Sequence, residues 1–213
     1  MADSIKIDII SDTVCPWCLI GKRRLEQALA QRPDLVANIH WRPYQLHPEL
    51  PLGGADKAEL LASKFGSAER AREIFDHIAA EGAKEGIAFA FDRITRAPNT
   101  LDSHRLIHWS ASAGGQNDVV EALFRAYFMD GEDISNRDLL TSIAEKCGME
   151  GGVVRDLLDT DRDRQVVMSQ IDSVRKMGIT GVPTFIFDGR LAVNGAHPAS
   201  ALLEVIDKAK QAA

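Results

Sequence analysis

A pair of cysteines separated by two residues, in the run Cys15-Pro16-Trp17-Cys18, constrains this chain more than any other feature of it. An alternating apolar pattern at residues 5–10 comes just before the pair and predicts a first strand. Small and apolar residues then recur at helical spacing until Pro33 ends the pattern. The sequence therefore places two thiols at the start of a helix, in a strand-turn-helix unit.

The number of cysteines limits what the pair can be. The 213 residues contain three cysteines, which is too few for a small fold held together by disulfides. A zinc site would need two more Cys or His ligands at ordered spacing, and only Cys147 and scattered histidines are present. We interpret the pair as a redox-active dithiol and predict no metal site. Cys147 shares an apolar helical face with Leu140, Ile143 and Ala144, so we expect it to be inert.

The start of a helix suits the chemistry of disulfide exchange. The reaction needs a thiolate, and the unpaired N–H groups and dipole at a helix N-terminus favour negative charge. We predict that Cys15 is the exposed nucleophile and that Cys18, one turn further in, resolves the mixed disulfide. Pro16 fits the first turn because its missing N–H would have no partner there. Trp17 is expected to lie partly exposed beside the nucleophile.

The rest of the chain supplies further strands and a helical block. Residues 36–45 predict a second strand, which Pro43 places at a sheet edge or a bulge. Residues 53–177 have helical patterns and no convincing strand. Later, two short strand patterns flank Asp188-Gly189, a dipeptide that favours a type I′ hairpin because both residues need positive φ. A closing helix follows.

This order of elements predicts an α/β fold of the thioredoxin-like type, a four-stranded mixed sheet with an inserted all-helical domain. Residues 1–52 and 178–213 would form the thioredoxin-like domain. Residues 53–177 would form the insertion, including a return helix that leads back to the sheet.

Charge and hydropathy exclude some classes of partner. The net charge of -6 and the lack of a Lys/Arg run argue against a surface that follows phosphates. No stretch approaches the roughly 18 apolar residues of a spanning helix, and Lys6 and Asp8 interrupt the apolar N-terminus. We expect a cytoplasmic protein without nucleic-acid or membrane partners, either a monomer or a homodimer.

A second motif, Gly181-Val182-Pro183-Thr184, stands just before the hairpin. Taken alone, Pro183 would be trans, since only about 5–6% of X-Pro bonds in folded proteins are cis. However, a strand, the dithiol, a helix, inserted helices and this motif together resemble the DsbA-like thioredoxin superfamily along essentially the whole chain. The resemblance implies a cis Pro183 that faces the dithiol, with the Val182 backbone open to hydrogen bonds from an extended substrate segment.

Three further motifs are similar to the FrnE-like branch of that superfamily: Trp41-Arg42-Pro43-Tyr44, Ala97-Pro98-Asn99-Thr100 with Ser103-His104-Arg105, and Val193-Asn194-Gly195-Ala196-His197-Pro198. The neighbouring branch contains 2-hydroxychromene-2-carboxylate isomerases and kappa-class glutathione transferases. That branch normally has Ser at the position of Cys15, and a Ser-Asp or Gln-Asp pair at the position of Ala196-His197. Both departures weaken the interpretation as a glutathione transferase.

Two polar residues in the middle of the chain have alternative interpretations. Asn99 is either the N-cap of a helix or a substrate contact, since the resemblance places its segment beside the cleft. His104 and His108 have a spacing found in metal sites, but no Glu follows His104 as in HExxH. We expect His104 to face the active-site cleft or to make a polar contact. The full set of predicted substrate-binding residues is Pro16, Trp17, Val182, Thr184, Asn99 and His104.

These features predict a thiol–disulfide oxidoreductase that acts on protein or peptide thiols and disulfides. Its catalytic residues would be Cys15, Cys18 and Pro183, with no tightly bound cofactor and with glutathione as a candidate redox partner. The direction of the reaction depends on the reduction potential of the pair relative to that of the compartment. One alternative is a glutathione-dependent isomerase or transferase acting on a small aromatic substrate. Another is a binding module with structural cysteines.

Overall fold

Strands and helices alternate near both ends of the chain, and the middle is mostly helical. This computed structural model describes residues 3–211, apart from the side chains of residues 65, 68 and 113. The predicted domain limits at residues 1–2 and 212–213 lie outside the described residues. The elements in chain order are β1 (Asp3–Ser11), α1 (Pro16–Ala30), β2 (Leu35–Pro43), β3 (Ala55–Asp56), α2 (Lys57–Phe65), α3 (Ala68–Lys84), β4 (Arg96–Ala97), α4 (Leu101–Ser110), α5 (Gln116–Arg125), α6 (Arg137–Lys146), α7 (Gly151–Leu158), α8 (Arg164–Lys176), β5 (Thr184–Phe187), β6 (Leu191–Asn194) and α9 (Ala199–Gln211).

The central sheet has four strands in the order β2-β1-β5-β6. Strand β1 pairs parallel with β2 and antiparallel with β5, and β5 pairs antiparallel with β6. Pro43 is the last residue of the edge strand β2, where its missing N–H removes nothing from a ladder. The mixed four-stranded sheet and the edge position of Pro43 are confirmed.

Helices cover both faces of this sheet. Ile5, Ile7 and Ile9 of β1 belong to the largest apolar cluster, which also takes in residues of α1 and α9. Successive strand residues point to opposite faces, and Ile10 accordingly lies in a second cluster with Ile186 of β5 and Val174 of α8. The odd-numbered residues thus face one buried side of the sheet, whereas the other side is exposed at Lys6 and buried at Ile10.

The turn between β5 and β6 is the predicted hairpin. Asp188 and Gly189 have φ of 48° and 67°, the positive values that a type I′ turn requires at both of its central residues. The turn brings β6 back against β5, with Thr184 opposite Asn194.

The middle of the chain is not all-helical, so that prediction is wrong in one detail. Ala55–Asp56 pairs antiparallel with Arg96–Ala97, and the backbone N–H of Lys57 donates to Thr95 at 3.0 Å just beyond the ladder. Strands of two residues are too short to show an alternating pattern, and these two lie far apart in sequence. The ladder closes the segment that holds α2 and α3.

The predicted insertion and the sheet share one core. The largest apolar cluster joins Ile7 of β1 and Cys18 of α1 to Ile78 of α3, Phe124 of α5 and Phe128. Phe128 lies in a π-helical turn, Ala126–Asp130, that directly follows α5. Through this packing, the helical block contacts the sheet domain next to the dithiol.

Candidate active site

The two cysteines lie at the N-terminus of α1. Cys15 is the N-cap residue, with its backbone N–H donating to Asp12 at 3.1 Å, and Pro16 begins the helix as predicted. Cys18 follows one turn later, and its N–H donates to the carbonyl of Cys15 at 3.0 Å. Both side chains are free thiols. Cys15 therefore stands at the positive end of the helix dipole, although its side chain makes no capping hydrogen bond to the first turn.

Cys15 is not exposed, and that prediction is wrong. Its exposed fraction is 4%, against 1% for Cys18. The reason is that segments from the helical block and the Val182 loop cover the start of the helix. Cys15 lines a cavity between these segments. Cys15 is still the more accessible thiol, since Cys18 does not line that cavity.

The surroundings of Cys18 disfavour its charged form. Burial raises the pKa of Cys18 well above the ordinary value, and the hydrogen bond and charge of Cys15 raise it further. Hydrogen bonds from the Ser11 side chain and the Asp12 backbone act in the opposite direction. The balance keeps a proton on Cys18 at neutral pH, so the thiol must lose it before it can attack.

The loop before β5 packs against the dithiol, as predicted. The Val182–Pro183 peptide bond is cis. The thiol of Cys15 donates to the Val182 carbonyl, with Sγ and O 3.6 Å apart. Val182 is half-buried and lines the cavity that Cys15 faces, whereas Pro183 is buried.

Gly21 makes this approach of the loop to α1 feasible. A Cβ atom at Gly21 would lie 3.0 Å from Cγ of Pro183 and 3.0 Å from Cζ of Phe185, closer than packed carbon atoms normally come. In the sequence, Gly21 is recognisable only as a small residue on a helical face. A signal was present, because glycine inside a helix costs about 1 kcal/mol relative to alanine and needs a reason.

The cavity beside Cys15 is mainly apolar and has a volume of about 400 Å³. Trp17 is half-buried at its wall and packs on His77 of α3, with ring centroids 6.1 Å apart. The cationic Lys57 lies in the wall and donates from Nζ to the Phe91 carbonyl at 2.6 Å. The lining also includes Val14, Cys15, Pro16, Leu46, His47, Leu50, Leu60, Leu61, Lys64, Ile74, Phe75, Ile78, Phe91, Ile94, Ala97, Pro98, Tyr127, Phe128 and Val182.

The side chains of Thr184 and Asn99 make hydrogen bonds to other residues of the protein. Thr184 donates to the Gly181 carbonyl at 2.9 Å and accepts from Asn194 at 2.8 Å. The Asn99 amide donates to the Leu50 carbonyl at 2.6 Å, and its oxygen accepts from the N–H of Leu101 at 2.9 Å.

The prediction that Asn99 is the N-cap of a helix is wrong by one residue. Helix α4 begins at Leu101, which makes Thr100 the N-cap. Asn99 still satisfies a first-turn N–H, because its side chain reaches forward from the buried segment after β4. Its neighbours Ala97 and Pro98 are the ones that line the apolar cavity.

His104 lies behind the dithiol loop, away from the apolar cavity. It is buried, with Nε2 at 2.8 Å from the Tyr44 carbonyl and 3.3 Å from a carboxylate oxygen of Asp12. The other Asp12 oxygen accepts from the N–H of Leu46 at 2.7 Å. Asp12 was not predicted as a site residue, although it stands three residues before Cys15. The contact between His104 and Asp12 holds the loop that precedes Cys15 in place.

His104 and His108 both line a second cavity, of about 300 Å³. Within the described residues, no three His, Cys, Asp or Glu side chains come together in a way that could hold a metal ion. Likewise, none of the helices between residues 3 and 211 is long and apolar enough to cross a membrane.

Comparison with known proteins gives relatives along the whole chain. The Bacillus subtilis protein YwbO is 26% identical over 195 residues, which cover 91% of each chain. The structure of a probable DsbA oxidoreductase from Streptomyces coelicolor superposes with a TM-score of 0.88 and 28% identity, covering 97% of this chain and 90% of that one.

More distant structures share the fold. A 2-hydroxychromene-2-carboxylate isomerase has a TM-score of 0.70 at 16% identity, with 95% of both chains covered. The cytosolic disulfide reductase DsbM from Pseudomonas aeruginosa, solved with GSH, has a TM-score of 0.59 at 19% identity, with 97% of this chain and 96% of that one covered. Neighbours of both kinds match the FrnE-like branch predicted from the sequence.

Residues 6–207 match the DSBA-like thioredoxin domain. The match includes the dithiol, the helical block, the cis-proline loop and the hairpin, which are the parts that build the site. The chain therefore belongs to the DSBA-like thioredoxin domain family, whose similarity at the family level supports disulfide oxidoreductase chemistry.

Proposed function

We propose that this protein is a thiol–disulfide oxidoreductase that acts through Cys15 and Cys18. The observation that carries the proposal is the position of Cys15, at a helix N-terminus and 3.6 Å from the Val182 carbonyl of the cis-proline loop. A helix N-terminus favours the thiolate that disulfide exchange needs. The loop beside it offers backbone groups to an extended partner segment.

The exchange takes place in two steps. In the reducing direction, the Cys15 thiolate attacks a substrate disulfide, forms a mixed disulfide and releases one substrate thiolate. Cys18 then attacks Cys15, and a Cys15–Cys18 disulfide forms as the second substrate thiolate leaves. Oxidation of a substrate dithiol follows the same steps in reverse. The electron pair moves only between sulfur atoms, so no bound cofactor is required.

The apolar cavity supports a partner with an apolar group next to its sulfur atom. Cys15, Trp17 and Val182 are among the lining residues, which places the reacting sulfur at the wall of this cavity. Aromatic and aliphatic side chains dominate the remaining lining, and burial of an apolar side chain there would contribute about 1.5–3 kcal/mol. We propose protein or peptide thiols and disulfides as substrates.

Glutathione is the proposed redox partner, and the cytoplasm the proposed location. Both proposals are supported by the neighbouring reductase DsbM, which is described as cytosolic and was solved with GSH. The net charge of -6 supports the further proposal that nucleic acid is not a partner. Disulfide chemistry in the cytoplasm is usually catalytic rather than structural.

Reduction of insulin by the wild type and two serine variants tests the proposal. Cys15→Ser should abolish reduction, because a hydroxyl cannot form the mixed disulfide. Cys18→Ser should accumulate a covalent complex with the substrate, which non-reducing electrophoresis detects. The reduction potential of the Cys15/Cys18 pair, measured on the same protein, gives the net direction. Normal insulin reduction by Cys15→Ser would show that the nucleophile is assigned wrongly.

A second candidate function is glutathione-dependent isomerisation of a small aromatic substrate. The apolar cavity favours it, since a volume of about 400 Å³ beside a thiol suits a bound small molecule. That activity would require added glutathione and would survive Cys18→Ser, whereas disulfide exchange with turnover requires both thiols. Activity on an aromatic substrate by Cys18→Ser with glutathione would favour this candidate.

A further inference from the structure

The apolar cavity beside Cys15 has basic residues in its wall. Lys57, Lys64 and His47 line it, and none of the Asp and Glu residues that the structure describes does. The chain as a whole has the opposite balance, with 31 acidic residues against 25 lysines and arginines. A cavity with apolar walls and charge of one sign attracts ligands of the opposite sign. The cavity therefore favours an anionic group on its ligand.

The three basic residues differ in their partners. His47 Nδ1 lies 3.2 Å from a carboxylate oxygen of Glu49. A backbone hydrogen bond lowers the pKa of Glu49, and the neighbouring His47 and Lys64 lower it further. Lys57, in contrast, forms no ion pair with any carboxylate in the part of the chain that the structure describes. Of the three, Lys57 has the greatest need of an external anion.

Two aromatic residues hold the Lys57 side chain in the wall. Its ammonium group donates to the Phe91 carbonyl at 2.6 Å and lies 5.2 Å from the centroid of the Phe75 ring. Both of these residues line the apolar cavity. The hydrogen bond uses one of the three N–H donors of the ammonium group. Burial lowers the pKa of Lys57, and the charge of Asp92 raises it in part. A half-buried cation without an ion pair is costly, and a bound anion would offset that cost.

A neighbouring groove between α2 and α3 also contains Lys57 but does not favour an anion. The groove has a volume of about 390 Å³ and shares Lys57 and its two aromatic contacts with the apolar cavity. In its lining, Asp76 and Asp92 balance the charges of Lys57 and Arg72. An anion in the groove would meet the repulsion of two carboxylates. Lys57 is therefore better placed to bind an anion in the apolar cavity.

We propose that Lys57 selects disulfide substrates that carry a carboxylate beside an apolar group. The inference rests on the thiol–disulfide oxidoreductase function and names the substrate class of that site. The apolar group fills the cavity and Lys57 donates a hydrogen bond to the carboxylate, while Cys15 of the same lining attacks the disulfide. The Cys15 thiolate forms a new S–S bond, and the substrate S–S bond breaks to release one thiolate. An acidic peptide side chain and the carboxylate of a small disulfide share this chemistry.

Two aromatic disulfides of equal size test the inference, one with a carboxylate on each ring and one with a carboxamide in its place. The thiolate that Cys15 releases is coloured, so its appearance gives the rate. Lys57→Met should slow the reaction with the carboxylate about ten- to a hundredfold, the range for loss of a hydrogen bond between charged groups. The rate with the carboxamide should stay unchanged, which also shows that the variant is folded.

Further disulfides identify the source of the carboxylate. Two short peptide disulfides, with Glu or with Gln beside an apolar residue next to the cysteine, test an acidic side chain. Glutathione disulfide tests a small molecule. The source is the disulfide whose reaction Lys57→Met slows, and we expect it to be the peptide with Glu.

Lys84→Met is the matched control. Lys84 lies in α3 with an exposed side chain, pairs with Glu81, and lines neither cavity nor the groove. The variant removes the same charge and should change neither rate. The inference would be overturned by unchanged rates in Lys57→Met, by equal slowing of both aromatic disulfides in that variant, or by equal slowing of the carboxylate in Lys57→Met and Lys84→Met. Absence of thiolate release by the wild type from either aromatic disulfide would instead refute the oxidoreductase function.

Discussion

The three cysteines of this chain have three different surroundings. Cys15 lines the apolar cavity, and Cys18 is buried in the main core and does not line it. Cys147 follows the last turn of α6 and packs, partly buried, against the main core. Burial raises the pKa of Cys147, and the charge of Asp118 raises it further. A thiol that holds its proton in this way is a poor nucleophile.

Replacement of Cys147 by alanine should therefore leave disulfide exchange intact. The side chain contacts neither cavity and contributes only packing at the end of α6. The expected result is an insulin reduction rate equal to that of the wild type, together with a small loss of thermal stability. The idea fails if the variant keeps its melting temperature and loses activity, because Cys147 would then take part in the chemistry.

At the scale of elements, local signals predicted most of what holds the site. The alternation in β1, the proline after Cys15 and the Asp188-Gly189 turn each have a physical cause within a few residues, and each was found where expected. The pair β3 and β4 was missed because two-residue strands have no period. The predicted N-cap of α4 lies one residue before the observed one for a different reason, since Asn99 and Thr100 are both good capping residues.

The contact between α1 and the cis-proline loop leads to a prediction for Gly21→Ala. Alanine favours a helix by about 1 kcal/mol over glycine, but its Cβ would lie 3.0 Å from Pro183 and from Phe185, both buried. Overpacking of this kind costs about 1–3 kcal/mol. The variant should be less stable than the wild type in urea, and Cys15 should react more slowly with an aromatic disulfide.

Gly152→Ala is the matched control for this prediction. Gly152 lies in α7 and does not have a positive φ, and a Cβ atom added there would meet nothing within 4 Å apart from its chain neighbours and the backbone of its own helix. Its replacement should raise stability by up to about 1 kcal/mol with no change at Cys15. If both variants gained stability to the same extent, the close approach at Gly21 would carry no energetic cost.

At the scale of the whole molecule, the burial of Cys15 was beyond sequence reasoning. The cavity that Cys15 lines is formed by α1, α2, α3, the segment before α4, the π-helical turn and the Val182 loop. No pattern within one segment encodes how such distant pieces meet. The second cavity is built in the same way, from β1, β2, α4, α5 and α8. The dithiol was predictable because it is read from adjacent residues, whereas the cis Pro183 beside it came from the resemblance of the whole chain to a family.

A charged cluster joins the dithiol helix to the helical block. Lys22 of α1 is buried and lies 2.7 Å from a carboxylate oxygen of Glu121 in α5. Arg23 binds the same carboxylate with both terminal nitrogens, one of them at 2.9 Å. Burial alone would raise the pKa of Glu121, but the hydrogen bonds from Arg23 and Lys22 outweigh it and lower the pKa from 4.5 to about 2.

This cluster should make the stability of the molecule depend on acid pH through Glu121. Its pKa is lower in the folded chain, so the unfolded chain binds more protons between about pH 4.5 and 2, and stability falls as the pH falls through that range. Glu121→Gln should cost about 1–2 kcal/mol at pH 7, less than a fully buried pair, because solvent screens a side chain that is 36% exposed. Near pH 2 the protonated wild type resembles the variant, and the difference in urea unfolding should largely disappear. A difference of the same size at both pH values would contradict the assignment, since the cost would then come from packing rather than from charge.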